Sequence, residues 1–271
     1  MKLEKASYEI WDEKIPLHDH IERCGRVCYA SDPIGGEKAV EFCNRLIKSG
    51  HLSVLEHGTV YLSMESETEE SLKYDENPYS EYYDNDEFEL GRACISTNLR
   101  VLVENNWLKD LTYLCEPTPY HDKRITVKWN VNRAIANEIV RHRKFSFSQQ
   151  STRYCNYSKS KFNNECTFII PSSCTYPEGR YLPTNSLQYG SYIWSLRQSE
   201  GAYFELLQEG WTAQQARDVL PLALKTELVM TGFAHNWTAF FKLRCDNHAH
   251  PDIRQLAIKL RDEFYKKGYI V

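Results

Sequence analysis

The chain has 271 residues, 42% of them apolar, with a formal net charge of −4 at pH 7 and a pI near 6.2. That length fills one large domain or two small ones and can bury a full core. The acidic balance argues against a global nucleic-acid binder, whose domains are usually basic. No apolar run approaches the roughly 20 residues of a membrane span. The opening MKLEKASYEIWDEK lacks the apolar core of a signal peptide. No nucleic-acid or membrane partner is expected, and the expected location is the cytoplasm. Nine cysteines, an odd number with no CxxC pair, read as reduced and mostly buried thiols.

In chain order, residues 17–30 predict an amphipathic helix. Ile21, Cys24, Val27 and Cys28 form a core-facing stripe on it. That stripe explains His18-x-His20 followed by Cys24 and Cys28 better than a metal site does, since free cysteine packs as a small hydrophobe. No metal is expected. Residues 37–49 predict a second helix, ended by Gly50. In HLSVLEHGTVYLSM, Val60 and Leu62 alternate with Tyr61 and Ser63 as in a strand. From Glu65 to Glu89, eleven acidic residues face the single Lys73. That stretch predicts a solvated, partly mobile excursion, which its tyrosines keep from complete disorder. Residues 92–104 are compatible with strand or helix. Pro117 and Pro119 break the chain, and residues 123–131 read as a strand. Ile135, Ile139 and Val140 give residues 133–143 helical spacing. A short strand is expected over 166–171. A long helix over 187–209 has Tyr189, Tyr192, Ile193, Leu196, Tyr203, Leu206 and Leu207 on its apolar side, and Gly210 closes it. Thr212 reads as the N-cap of TAQQARDV, which Pro221 limits. KTELVMTGF predicts a strand. WTAFFKLR and PDIRQLAIKLRDEF predict helices, with Pro251 at the first position of the second. No repeat or linker interrupts the order. The class is mixed α and β.

Residues 141–154, RHRKFSFSQQSTRY, carry the chemistry. Arg141, His142, Arg143 and Arg153 are interleaved with Ser146, Ser148, Ser151 and Thr152, and the amides of Gln149 and Gln150 sit between them. Guanidinium forks match phosphate bidentately, and hydroxyls complete an anion cradle. In an acidic chain this local cation cluster predicts a small anionic ligand. The cradle is expected to begin at a helix C-terminus, where the dipole also favours cations, and to run out into a loop. No GxGxxG, P-loop, HExxH or GxSxG occurs. Three further spots stand out. His51 and His57 bracket HLSVLEH, where a histidine is first read as a cap or surface group. Arg217 opens as a surface ion pair or, beside the first turn of its helix, as a further anion site. KLRCDNHAHP gathers Arg244, Asp246, His248 and His250, which reads equally as a helix-end capping network.

Taken together, these pieces resemble the flavin-dependent thymidylate synthases. Their RHR-x7-S signature is matched by Arg141-His142-Arg143 and Ser151, continued by Thr152-Arg153-Tyr154. Glu56-His57 precedes it. An ARxxLP segment with Arg217, Leu220 and Pro221 follows. An LRxDxxAH segment with Leu243, Arg244, Asp246, Ala249 and His250, or His248 in a shorter spacing, closes the order, and the resemblance covers most of residues 15–265. It implies a single domain over 1–271 with a central mixed or antiparallel sheet flanked by helices and an acidic insertion around 65–120. It also implies reductive methylation of dUMP to dTMP. Methylenetetrahydrofolate would give the carbon and FAD reduced by NADPH the hydride, in a homotetramer with shared active sites and no cysteine nucleophile.

By that resemblance Arg244 stabilises charge on the pyrimidine. Ser151 and Arg153 share the catalytic site. Glu138, Arg141, Gln149, Gln150, Thr152 and Arg217 join them in holding dUMP. His57, Thr59, Arg141, His142, Arg143, Gln149 and His235 face FAD. The chain departs from the family pattern in several places. Gln149 stands where an acid is common and Glu138 where glutamine is. Phe233-Ala234-His235 replaces an Asn-x-Arg flavin segment, and Ala239 replaces a further Asn or His. A flavin-dependent hydroxymethylase of the same nucleotide would share the motif. A noncatalytic nucleotide- or RNA-binding module is the alternative from another class.

Overall fold

The computed structural model describes residues 1–11, 14–84, 91–174 and 190–271. Strands β1 (Lys2–Lys5) and β2 (Ser7–Trp11) open the chain. Helix α1 (Leu17–Val27) buries Ile21, Cys24 and Val27, the stripe its spacing predicts. Helix α2 (Glu37–Ser49) stops at Gly50, whose φ of 73° is left-handed and suits a residue without a Cβ. A 3-10 turn over Leu52–His57 leads into β3 (Thr59–Glu65), which turns Val60, Leu62 and Met64 inward.

The acidic stretch folds further than its composition suggests. Thr68 caps α3 (Glu69–Asp75), and Glu81–Asp84 form β4. Tyr74 on α3 is fully buried and donates to Asp110 Oδ2 at 2.9 Å, while Lys73 pairs with the same carboxylate at 2.6 Å. Tyr74 supplies the buried anchor, while Glu65, Glu67, Glu69, Glu70, Asp75 and Glu76 are exposed. Residues 85–90 of the stretch lie outside the described residues. The ambiguous segment 92–104 is both structures in turn. Strand β5 (Arg92–Asn98) ends where the Asn98 side chain accepts from the Val101 amide and starts α4 (Leu99–Glu104).

Strand β6 (Arg124–Asn132) hands over to α5 (Arg133–Ile139), capped by Asn132. The loop expected within the motif is instead strand β7 (Ser146–Gln149). Ser146 and Ser148 face the buried side and Phe147 is half-buried. The alternation of Phe145-Ser146-Phe147-Ser148 is the period-two pattern that predicts a strand. The fold continues through β8 (Thr167–Ile170) and α6 (Gly190–Gln208). Tyr189, assigned to that helix, lies outside the described residues. Helix α7 (Ala213–Ala216) is one turn, followed by a 3-10 turn over Arg217–Val219. It is too short to offer the N-terminal anion site expected of a full helix. Strand β9 (Lys225–Phe233), α8 (Ala234–Arg244) and α9 (Pro251–Lys266) complete the chain.

The largest sheet is antiparallel, in the order β2-β6-β9-β7. A second antiparallel sheet has the order β3-β5-β4, and β1 pairs with β8 in parallel. Helices flank these sheets, as the fold class requires. Trp129, Trp237, Phe240 and Phe264 fill the core between the large sheet and α8 and α9. A second core joins α1, α2, β3 and β5, and a third joins β8 to α6. No helix among the described residues is long and apolar enough to cross a membrane. The two halves of the motif flank β7. Its Arg-His-Arg end precedes the strand beside the start of α8, and Ser151 follows the strand at the far end.

Candidate active site

At the Arg-His-Arg end lies a cleft of about 260 Å³. The large sheet contributes Arg124, Gly232 and Phe233, with His235 from α8 and Arg143, Lys144 and Ser146 from the motif. The opposite wall comes from Tyr79, Glu81, Asn98 and Arg100. A stretch expected to be a solvated excursion thus lends Pro78, Tyr79 and Glu81 to the cleft wall. Arg100 is committed to Glu56 and Glu104. Arg143 and Lys144 form no hydrogen bond to a carboxylate among the described residues.

Arg124 is the residue that sequence reasoning missed here. Its Nη1 donates to the Glu56 carbonyl at 2.9 Å and approaches Thr59 Oγ1 at 3.4 Å, and its Nη2 approaches Ser146 Oγ at 3.4 Å. Its Nε is buried with no partner among the described residues. Burial pushes the guanidinium down to about 10, still charged at neutral pH. A cation at the start of a strand reads as surface in sequence. Only the fold of β3 against β6 shows otherwise. Phe233 and His235, which replace polar flavin contacts of the family pattern, stack with centroids 5.6 Å apart and 7° between planes. His235 Nε2 sits 3.4 Å from Glu81 Oε1.

Gly232 lets this cleft form. A Cβ there would overlap the Phe145 ring, which packs edge-on against Trp237 at 5.0 Å. Gly232→Ala is expected to destabilise the protein by about 1–3 kcal/mol through overpacking. It should also displace Lys144 and Ser146 on either side of Phe145. Urea melts give the first effect and ligand titration of the cleft the second. Wild-type stability in this variant would contradict the packing argument.

A second group forms where the last turn of α8 meets the end of α5. Arg244 Nε donates to His142 Nε2 at 2.9 Å, Nη1 to Glu138 Oε2 at 2.7 Å and Nη2 to the Glu138 carbonyl at 2.7 Å. Burial, then the charge of Arg244, pushes His142 down to about 4. The imidazole is therefore neutral at physiological pH, and the positive charge of the pair resides on Arg244. A guanidinium has about five N–H donors and three are used, so two remain for a ligand. The rest of KLRCDNHAHP does act as caps. His250 Nδ1 accepts from the Asp252 amide at 3.2 Å, and Asp246 accepts from the His248 amide at 2.8 Å. Arg141 is exposed beside this group and lines no part of the cleft.

The third group sits beyond β7. The Ser151 amide donates to the Cys28 carbonyl at 3.0 Å, and Ser151 Oγ accepts from the Arg153 amide at 3.2 Å. Arg153 is exposed and its Nε donates to Gln214 Oε1 at 2.9 Å. Thr152 is buried, with its Oγ1 3.4 Å from Arg217 Nη1. Arg217 therefore reaches the motif, and it forms no ion pair among the described residues.

Other expected residues hydrogen-bond within the fold. His57 is fully buried and hydrogen-bonds with Thr231 Oγ1 at 2.7 Å and Ser148 Oγ at 3.1 Å. It is neither the cap nor the surface group first considered, and its side chain does not open to the cleft. His51, by contrast, is exposed at the end of α2 beside Ser49. Gln150 is buried, its amide donating to the Glu227 carbonyl at 2.8 Å and its Oε1 accepting from the Glu227 amide at 3.3 Å. Those bonds extend the β7–β9 pairing. Gln149 Nε2 is spent on Thr226 Oγ1 at 3.3 Å.

A model of the family described as thymidylate synthase complementing protein matches residues 79–267. The flavin-dependent thymidylate synthase of Geobacter sulfurreducens is 33% identical over 130 residues, 48% of this chain and 51% of that protein. This chain thus spans about half the length of that relative. The enzyme of the same name from Corynebacterium efficiens is 31% identical over 184 residues, 62% of this chain and 70% of that protein. A solved structure of a UMP/dUMP methylase, PolB from Streptomyces cacaoi, aligns with a TM-score of 0.48 at 16% identity, covering 98% of this chain and 93% of that one. With the family match running from the wall of the cleft through the Arg-His-Arg motif to Arg244 and α9, the chain belongs to the thymidylate synthase complementing protein family.

Proposed function

We propose that the protein makes dTMP from dUMP by reductive methylation, with methylenetetrahydrofolate as carbon donor and FAD reduced by NADPH as hydride donor. One observation carries the reading. Arg244 is held at three points by Glu138 and a neutral His142, with two N–H donors left over. For C5 of uracil to attack a one-carbon unit, negative charge builds on O4 and N3. A preorganised guanidinium at that edge stabilises the charge without having to reorganise. His142 fixes the plane of Arg244 and competes for no proton at neutral pH.

The cleft suits an anionic dinucleotide such as FAD. Among the described residues Arg143 and Lys144 form no hydrogen bond to a carboxylate, and the Nε of the buried Arg124 has no partner. These three would meet the pyrophosphate, with Thr59 beside Arg124 and His235 at the rim. Bound there, the flavin supplies the hydride. The flavin-dependent relatives support this choice of cofactor. Ser151, Thr152, Arg153 and Arg217 would take the nucleotide phosphate. Strand β7 separates them from the Arg244 corner by roughly 16 Å at 3.3 Å per residue, more than one mononucleotide spans. A homotetramer in which these corners meet across subunits resolves the distance.

Purified protein is expected to carry or bind FAD, with its absorption bands, and to oxidise NADPH faster when dUMP is present. Colourless protein that neither binds added FAD nor oxidises NADPH would refute the reading. Ser151→Ala is expected to raise the dUMP dissociation constant about tenfold, the value of one lost hydrogen bond, without trapping or losing a covalent intermediate. A Ser151–nucleotide adduct found by mass spectrometry would contradict the binding role.

A further inference from the structure

Arg133 belongs to none of the groups above, yet it feels the charge of Arg217 in one of them. It is the first residue of α5. Its amide donates to the carbonyls of Leu222 at 3.0 Å and Leu224 at 3.1 Å, and the Ala134 amide lies 3.4 Å from Leu222 O. Those bonds clamp the turn that follows Arg217 against α5. The Arg133 guanidinium makes no hydrogen bond among the described residues, and its Nη1 is buried without a partner. It feels both Tyr157, whose hydroxyl is likewise buried and unpartnered among the described residues, and the like charge of Arg217. Burial and Arg217 both hold its pKa below the ordinary value, against the opposite pull of Tyr157. No carboxylate hydrogen-bonds to either guanidinium among the described residues. Two like charges that feel each other across this clamped turn repel unless an anion joins them, and a phosphate dianion matches two guanidinium forks in both charge and geometry.

We propose that Arg133 is a second guanidinium for the phosphate of the bound nucleotide, acting beside Arg217 and Thr152 to select a nucleoside monophosphate over the free nucleoside. The inference rests on the reading that the Ser151–Arg217 corner takes a nucleotide. It adds a residue outside the Arg-His-Arg motif and outside the segments that carry the family resemblance.

The test is calorimetric titration of the full chain with dUMP and with deoxyuridine, in the wild type, Arg133→Met and Arg217→Met. Arg133→Met is expected to weaken dUMP by about ten- to a hundredfold, the effect of losing charge-assisted hydrogen bonds, and to leave deoxyuridine unchanged. Wild-type dUMP affinity in Arg133→Met, with a loss in Arg217→Met, overturns the proposal and leaves the reading of the corner intact. Equal losses for dUMP and deoxyuridine overturn it in favour of a structural role. A wild type that binds neither compound overturns the reading as well. If Arg133→Met does not fold, an arginine-specific dicarbonyl reagent on the wild type decides, with modification mapped by mass spectrometry. Protection of Arg133 by dUMP and not by deoxyuridine supports the proposal. An Arg133 that dUMP leaves unprotected, or that is already protected without nucleotide, overturns it.

Discussion

Arg244→Ala is expected to lower dTMP formation by about a hundred- to a thousandfold, the range for removing one preorganised charge-stabilising donor, while FAD binding stays intact. The separation follows from placement. Arg244 bonds to Glu138 and His142 and lines no part of the cleft that would hold FAD. Its loss frees His142, whose ring still packs edge-on against Phe240 at 4.9 Å, so the local fold survives. Arg244→Lys should restore little, because an ammonium cannot reproduce the planar fork that meets His142 and Glu138 together. Turnover and flavin absorption measured on the same preparations check both parts. An alanine variant with near-normal turnover would remove Arg244 from the chemistry. Loss of FAD together with turnover would point to a structural role.

The second large effect is on acid stability. His57 closes a buried polar chain in which His20 Nε2 meets Thr126 Oγ1 at 3.1 Å, Thr126 meets Thr231 at 2.8 Å, Thr231 meets His57 at 2.7 Å and His57 meets Ser148 at 3.1 Å. Burial, then the charges of His20 and Arg124, pushes His57 down from 6.5 to about 3. The sign follows from linkage. Above pH 6.5 neither folded nor unfolded His57 holds a proton, and stability is at its full value. As pH falls below 6.5, the unfolded chain takes up a proton that the native chain refuses, and stability drops by about 1.4 kcal/mol per pH unit. The loss continues until the pH approaches 3. His142, depressed to about 4, acts in the same direction over a narrower window. His57→Leu should therefore flatten the acid limb by close to one proton, even though it lowers stability at pH 7 by leaving Ser148 without its partner. Denaturant melts of both proteins between pH 7 and pH 4.5 give the slopes. Parallel slopes would mean that native His57 titrates normally, and the buried chain would be wrong.

The residues show why some of this was legible in the sequence. Helix α2 and its stop at Gly50, strand β9 and the Pro251 start of α9 are written in local periodicity and in conformations that one residue type favours. The Arg-His-Arg motif, Arg217 and Arg244 were legible as a set because their spacing matches a family. Strand β7 was legible too, in the alternation of Phe145 to Ser148, but the cations around it drew the reading toward a loop. The acidic stretch misled for a different reason. Its charge is real, yet Tyr74 needs only Asp110, far along the chain, to anchor a helix and place Tyr79 and Glu81 at the cleft. His57, Gln150, Arg124 and Arg133 owe their roles to contacts between residues distant in sequence. No composition or spacing announces that a histidine is sealed between two strands, or that the charges of two arginines from different segments interact with no carboxylate bonded to either among the described residues.

The most direct test of the central claim is product analysis by mass spectrometry with dUMP, methylenetetrahydrofolate, NADPH and FAD supplied together. The account predicts dTMP, formed only when all four are present and lost in Arg244→Ala. A hydroxymethylated nucleotide, or unchanged dUMP with FAD bound, would contradict it.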